Sequence, residues 1–141
     1  DAPLKELKLK SFQEILIGGK TFTSLATQKF FLKDLIKYPF ICLGLETATY
    51  HFYYNLFLSH GIELIPDTEA ATTDQIIPMV IHNLGIGFCP EKLAKPFIES
   101  GDILQIPLIE SELEREICLI QDISRGTSIA VSKLINMLIE D

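Results

Sequence analysis

The sequence lacks the features that would direct it to a membrane, to secretion or to nucleic acid. No apolar run approaches the roughly 18 to 20 residues that a bilayer-spanning helix requires. The N-terminal stretch DAPLKELKLKSF contains no apolar signal-peptide core. Basic residues are few, because 12 Lys and Arg stand against 19 Asp and Glu and give a net charge of −7. We therefore expect no general attraction between this chain and a nucleic-acid backbone, and no membrane partner.

Cysteine is also scarce. Cys42, Cys89 and Cys118 are far apart in the chain, have no C-x-x-C spacing and lie within short apolar runs. This pattern is typical of a reducing compartment and of buried thiols that serve as small apolar residues. The alternative, a small α/β enzyme that uses Cys89 or Cys118, stays open at this point.

Motifs for metal, nucleophile and nucleotide chemistry are missing as well. His51, His60 and His82 have no H-E-x-x-H or Cys/His spacing, and there is no G-x-S-x-G. The G-x-G of Gly85 and Gly87 follows a helix and opens a strand, whereas phosphate binding needs the reverse order. We expect Gly85 to be a helix C-cap with positive φ, and Gly87 to mark a close backbone approach. The sequence thus predicts no catalytic residue, no metal ion and no cofactor.

What the sequence does contain is enough apolar residues for a core, 48% of the chain, in patterns that alternate between strand and helix. Because the central strands are short and continuously apolar, we predict an α/β fold whose sheet is covered on both faces. The predicted strands are 7–19, 40–44, 62–67, 85–90, 102–109 and 115–122. Five helices are predicted, and three of them lie at 32–39, 91–100 and 128–141. Another extends from the N-cap Thr47 to Gly61. The remaining helix begins near Thr72 or Thr73, and we expect Pro78 to kink it or to delay its start.

Small hydroxyl residues gather at two strand-to-helix turns. Thr47 and Thr49 open one helix, and Thr68, Thr72 and Thr73 surround the start of another. In an open α/β sheet, ligands bind beyond the carboxyl ends of the strands, where helix N-termini offer free N–H groups. Two interpretations remain, a site for a polar ligand or plain helix caps. Glu46 and Glu69 add negative charge that opposes the binding of an anion.

Four pieces of sequence follow one another in an order and spacing that extend over nearly the whole chain: L-x-D-L-x-x-Y-P-F-I at 32–41, M-V-x-x-x-L-G-I-G-F-C-P at 79–90, G-D-I-L-Q-I-P-L at 101–108, and a strand that opens at Arg115. Together they resemble the effector-binding domain of LysR-type transcriptional regulators. The resemblance implies a type 2 periplasmic-binding-protein-like fold of two α/β lobes. Residues 20–107 would form the second lobe, and residues 1–19 and 108–141 would form part of the first. The chain is then expected to be truncated at its N-terminus.

The resemblance also implies a function. A small polar or anionic metabolite would bind between the lobes, and we expect Thr47 and Thr49 to hydrogen-bond a polar or carboxylate group of it. The complete set of effector-binding residues that the resemblance implies is Glu46, Thr47, Thr49, Glu69, Ala70 and Phe88. The parent protein would be cytoplasmic, would self-associate, and would contact DNA only through an N-terminal winged helix-turn-helix that this chain does not include. The main alternative is a periplasmic-type solute-binding protein of a transport system.

Overall fold

In the computed structural model, which describes residues 3–111 and 113–140, the chain divides into two compact units. The larger unit contains residues 13–113, and the smaller one contains residues 3–12 and 114–140. The first strand, β1 (Leu4–Gly18), contributes residues to both. The larger unit continues with a 3-10 helix (Lys20–Ala26), α1 (Leu32–Leu35), β2 (Phe40–Leu43), α2 (Ala48–Ser59), β3 (Thr68–Ala70), α3 (Thr73–Ile81), β4 (Ile86–Pro90), α4 (Glu91–Glu99) and β5 (Leu104–Ile106). The smaller unit has β6 (Glu114–Asp122) and α5 (Ile129–Glu140).

A mixed sheet lies at the centre of the larger unit, with the strand order β3-β2-β4-β1-β5. Strand β2 runs parallel to β3 and β4, whereas β1 is antiparallel to β4 and β5. In the register of β1 with β4, Glu14 lies opposite Pro90 and Ile17 lies opposite Gly87. Glu14 therefore lies beside the carboxyl end of β4, which is the end of an open α/β sheet at which ligands bind.

Both faces of this sheet are buried, each in its own apolar cluster. Along β1, Leu16 belongs to one cluster, while Ile15 and Ile17 belong to the other. The first cluster includes Phe57 of α2, and the second includes Val80 of α3. Because successive side chains of a strand point to opposite faces, helices cover the sheet on both sides. The predicted α/β fold class is confirmed.

Helix α2 begins and ends where local chemistry predicts. The backbone N–H of Tyr50 donates to Oγ1 of the N-cap residue Thr47 at 3.1 Å. The helix ends at His60, and Gly61 follows with a φ of +72°, a conformation that glycine adopts without steric cost. The predicted cap and the predicted stop are both confirmed.

The turn between α3 and β4 differs from the prediction. The left-handed residue is Asn83, with a φ of 60°, and not Gly85. Asparagine tolerates this conformation better than most residues do. Gly85 is required for a different reason, because a Cβ there would lie 2.5 Å from the backbone oxygen of Pro39. At Gly87 a Cβ would lie 3.1 Å from the oxygen of Ile41, so the close approach predicted there is confirmed.

The strand predicted at 62–67 is wrong, because the structure has a strand at Thr68–Ala70 instead. Pro66 has no N–H to donate to a strand partner, which works against pairing in the predicted segment. Asp67 instead fixes the chain beside β2. Its N–H donates to the oxygen of Phe40 at 2.9 Å, and its Oδ2 accepts from the N–H of Phe40 at 2.8 Å.

Helix α3 begins at Thr73, directly after its N-cap residue Thr72, which confirms the start predicted near these two residues. Pro78 lies inside the helix, so of the two effects expected from it, a kink or a delayed start, the delay does not occur. Because proline has no backbone N–H, Pro78 cannot donate the helical hydrogen bond to the carbonyl four residues earlier. The strand predicted at 102–109 is limited to β5, Leu104–Ile106.

The smaller unit pairs β6 with the first part of β1. Lys8 and Glu116 form an ion pair across these strands, and the Arg115 guanidinium lies 5.7 Å from the ring centroid of Phe12. On α5, Ile135 is half-buried, whereas Leu134 and the other apolar side chains are exposed. Within the described part of the chain, no helix combines the length and apolar character needed to cross a bilayer.

Candidate functional site

A small recess opens in the larger unit at the carboxyl ends of β2 and β4. Its cavity volume is about 20 Å³, which is room for about one water molecule. Leu43, the last residue of β2, lies at its edge, and Ile41, Ile76 and Phe88 form apolar walls. We call this cavity the strand-end recess. Its position matches the place where open α/β sheets bind ligands.

Four polar side chains line the strand-end recess, and they come from three different elements. Glu14 comes from β1, Thr49 and Tyr53 come from successive turns of α2, and Thr73 is the first residue of α3. The side chain of Glu14 is buried, with only 3% of the residue exposed. Three residues with hydroxyl groups and one with a carboxyl group thus line a space the size of a single ligand atom.

Helix α2 supplies Thr49 and Tyr53 because its first turn is fixed by a cap and its inner face is aromatic. The ring of Tyr53 stacks on the ring of Phe88, with centroids 4.4 Å apart and planes 15° apart. Phe88 also contacts the rings of Phe40 and Phe57, at 6.3 and 6.4 Å. Such ring contacts hold side chains in defined orientations. The Tyr53 side chain is therefore held at the recess by a rigid aromatic layer.

The six residues expected from the sequence are placed differently by the structure. Thr49 and Phe88 line the recess together. Thr47 caps α2, because its Oγ1 accepts a hydrogen bond from the N–H of Tyr50. The same hydroxyl donates to the oxygen of Gly44 at 2.8 Å. Glu46 and Glu69 both lie against Gly44, because a Cβ added there would lie 2.6 Å from Glu46 Oε1 and 2.8 Å from Glu69 Oε1.

Ala70 is the sixth expected residue and lies in the core. Only 2% of it is exposed, and it packs in the apolar cluster that includes Ile76 and Ile77. Two polar lining residues, Glu14 and Tyr53, were not expected from the sequence, and Thr73 was expected only as part of a strand-to-helix turn that either binds a polar ligand or caps the helix. For Glu14 a signal existed, because it is a charged residue placed directly before the buried run of β1.

Cys42 and Cys89 have the properties of buried thiols rather than of nucleophiles. Burial, and to a smaller extent the charge of Asp67, raise the pKa of Cys42 to about 12. Burial and the charge of Glu14 raise the pKa of Cys89 to about 12 as well. Both thiols are therefore protonated at neutral pH, and a protonated thiol is a poor nucleophile. Cys118 is half-buried, and its hydrogen bond with Glu6 raises its pKa.

Metal binding has no support in the part of the chain that the structure describes. No group of three or more His, Cys, Asp or Glu residues there could hold a metal ion. The strand-end recess itself contributes one carboxylate and no histidine. Its donor set is suited to hydrogen bonding with an organic ligand.

Several solved structures share this fold at low sequence identity. The regulatory domain of CcmR from Synechocystis PCC6803, in complex with 2-PG, is 13% identical with a TM-score of 0.85, and the match covers 99% of this chain and 67% of that one. The effector binding domain of QuiR, in complex with shikimate, is 15% identical with a TM-score of 0.81, over 97% and 64% of the two chains. The regulatory domain of MetR, a LysR family regulator from N. meningitidis, is 15% identical with a TM-score of 0.77, over 96% and 62%.

The chain thus spans about two thirds of the length of these regulatory domains. A search of curated protein sequences gave no match. The model of one protein family, described as the LysR substrate binding domain, matches residues 23–141. That match takes in all of β2, β4, α2 and α3, and it covers most of the chain. The chain belongs to the LysR substrate binding domain family.

Proposed function

We propose that this chain is the effector-sensing part of a LysR-type transcriptional regulator and that it binds a small polar metabolite without transforming it. The observation that carries the proposal is the strand-end recess, where Glu14, Thr49, Tyr53 and Thr73 converge from three different elements. Specific ligand sites combine apolar walls with a few polar groups held in place by rigid elements. The family match favours this role over a solute-binding protein of a transport system.

Within this proposal, the recess residues act in distinct ways. Thr49 and Tyr53 give hydroxyls that hydrogen-bond the effector, and Phe88 supplies an apolar wall. Thr47 acts indirectly, because its hydroxyl is already engaged with Gly44 and Tyr50. It fixes the first turn of α2 and so positions Thr49.

Glu46, Glu69 and Ala70 have supporting roles in this proposal. The two carboxylates set the charge at the end of β2, where they lie against Gly44. Ala70 packs beneath α3 as part of the core and keeps the start of that helix in place. None of these three residues is proposed to contact the effector directly.

The wider regulator follows the family. Residues 20–107 are assigned to one lobe, and residues 1–19 and 108–141 to the other. DNA contact belongs to a separate winged helix-turn-helix of the parent protein, which is consistent with the net charge of −7 of this chain. We assign the parent to the cytoplasm and expect it to self-associate. Effector binding would favour one arrangement of the oligomer over another and thereby change promoter activity.

The test uses the full-length regulator that contains this chain. A panel of small metabolites is titrated by calorimetry, and the hits are checked with a promoter reporter. Thr49→Val keeps the side-chain shape but removes the hydroxyl, so it should weaken effector binding by about 10-fold and reduce the promoter response. Thr23→Val, at an exposed position outside the recess, is the matched control. If Thr49→Val binds and responds as the wild type does, the recess is not the effector site.

A further inference from the structure

The charge of the strand-end recess restricts the effector more than its size does. Glu14 is the only charged side chain in its lining, and no Lys, Arg or His is among the described residues that form it. With 3% of the residue exposed, Glu14 is shielded from water. A carboxylate in such a setting attracts a cationic ligand group strongly and repels an anionic one.

Further acidic side chains lie near the recess. At the end of β2, the carboxylates of Glu46 and Glu69 converge on Gly44. In the described part of the chain, neither of these two carboxylates has a Lys or Arg within ion-pair distance.

The helix N-termini beside the recess do not offset this charge. Glu46 directly precedes the N-cap residue of α2, and Asp74 lies in the first turn of α3. Acidic side chains at these positions interact favourably with the positive ends of the helix dipoles. The positive ends that would otherwise attract a carboxylate or phosphate are therefore already partly neutralised by the protein.

The volume of the recess adds a limit on size. A cavity of about 20 Å³ accepts one non-hydrogen atom with its hydrogens. An ammonium group fits this description and carries three donors, whereas a carboxylate has three heavy atoms and no donor when ionised. The hydroxyl oxygens of Thr49 and Thr73 and the carboxylate of Glu14 can all accept from such donors.

We propose that the strand-end recess binds a primary ammonium group, so that the effector is an amine or an amino acid. This inference rests on the proposed effector-sensing function and specifies the ligand class of the same site. Of the polar or carboxylate group that Thr47 and Thr49 were expected to hydrogen-bond, it keeps the polar alternative, as an ammonium group, and drops the carboxylate. Glu14 is the residue that determines this specificity, with Thr49 and Thr73 as additional acceptors.

The experiment compares three probes with matched chains and different head groups: n-butylammonium, n-butanol and butanoate. Each is titrated by NMR into the full-length regulator at neutral pH. We expect n-butylammonium to bind at least 10-fold more tightly than either of the others. The inference is overturned if butanoate or butanol binds as well as the ammonium probe, or if none of the three binds. This comparison needs no variant, so it does not depend on how well a mutant folds.

A variant then locates the binding. Glu14→Gln preserves shape and removes the charge, and it should weaken n-butylammonium binding by at least about 10-fold. The control, Glu63→Gln, alters an exposed carboxylate outside the recess and should have no effect. Unchanged binding in Glu14→Gln would refute the assignment. If a metabolite without an amine proves to be an effector and is sensitive to Thr49→Val, the proposed function stands and only the ammonium inference fails.

Discussion

Truncation of Phe88 tests whether the wall of the recess is also part of the folding core. Phe88 is 6% exposed and contacts Tyr53, Phe40 and Phe57. Removing a buried ring in such a setting costs about 3–5 kcal/mol, from lost burial plus the cavity that remains. For a domain whose total stability is about 5–15 kcal/mol, Phe88→Ala should therefore be severely destabilising.

The assay is urea unfolding followed by tyrosine fluorescence. All four tyrosines, at positions 38, 50, 53 and 54, lie in the larger unit and there is no tryptophan, so the signal reports on that unit. With a urea m-value of about 2 kcal/mol/M, the midpoint should fall by about 1.5–2.5 M.

Phe97 provides the control for this measurement. It lies on α4 with 37% of the residue exposed, so Phe97→Ala should cost about 1 kcal/mol or less. If Phe88→Ala costs no more than Phe97→Ala, the ring is not packed as the structure has it. Both the aromatic layer and the presentation of Tyr53 to the recess would then be wrong.

Three further predictions concern stability and thiol reactivity. Thr47→Ala should lose about 1 kcal/mol in urea unfolding because it removes the cap of α2, whereas Thr47→Ser should stay near the wild type. Gly85→Ala should lower the free energy of unfolding by about 1–3 kcal/mol, because its Cβ would lie 2.5 Å from a backbone oxygen. Gly126→Ala is the control, since a Cβ there meets nothing within 4 Å, and it should change stability by less than about 0.5 kcal/mol. Similar costs for both variants would contradict the close approach at Gly85. Cys42 and Cys89 should react with a thiol reagent at pH 8 only in urea. Because burial raises the pKa of each thiol from 9.0 to about 12, the stability that depends on their protonation should be complete below pH 9 and lost as the pH rises towards 12. Urea unfolding midpoints measured at pH 8 and at pH 10.5 test this loss.

The sequence was sufficient where the determining signal is local. The cap at Thr47 and the stop at Gly61 depend on side chains and φ preferences within a few residues, and both were predicted. Strand β4 was predicted because its apolar run is enclosed between Gly85 and Pro90. In each case, the physical cause and the residue that signals it lie in the same short segment.

Where the cause is a distant segment, the sequence was not sufficient. Asn83 and Gly85 can each accept the left-handed conformation, and only the passing backbone of Pro39 shows why glycine is needed at 85. The strand predicted at 62–67 failed for a similar reason. Strand β3 begins at Thr68, which pairs with Ile41 of the neighbouring strand β2. No pattern in the sequence around residues 62–70 identifies that partner.

The same distinction explains why the recess was predicted only in part. Thr49 could be found because it opens a helix after a strand, which is a local and general position for ligand donors. Glu14 could not be assigned to the site, because it comes from a strand that is antiparallel to β4 and meets α2 and α3 only in the folded chain. The one charged residue in the lining of the recess was therefore the hardest to infer.

The backbone at Glu14 is fixed by contacts that do not involve its side chain, so the position of the strand does not depend on the charge of residue 14. Its N–H donates to the oxygen of Leu113 at 2.9 Å, and its register partner in β4 is Pro90. Changes of side chain at this position can therefore alter the charge of the recess while the strand stays in place. A shared sheet at low identity therefore carries no information about the charge at this position, which depends on the residue found there.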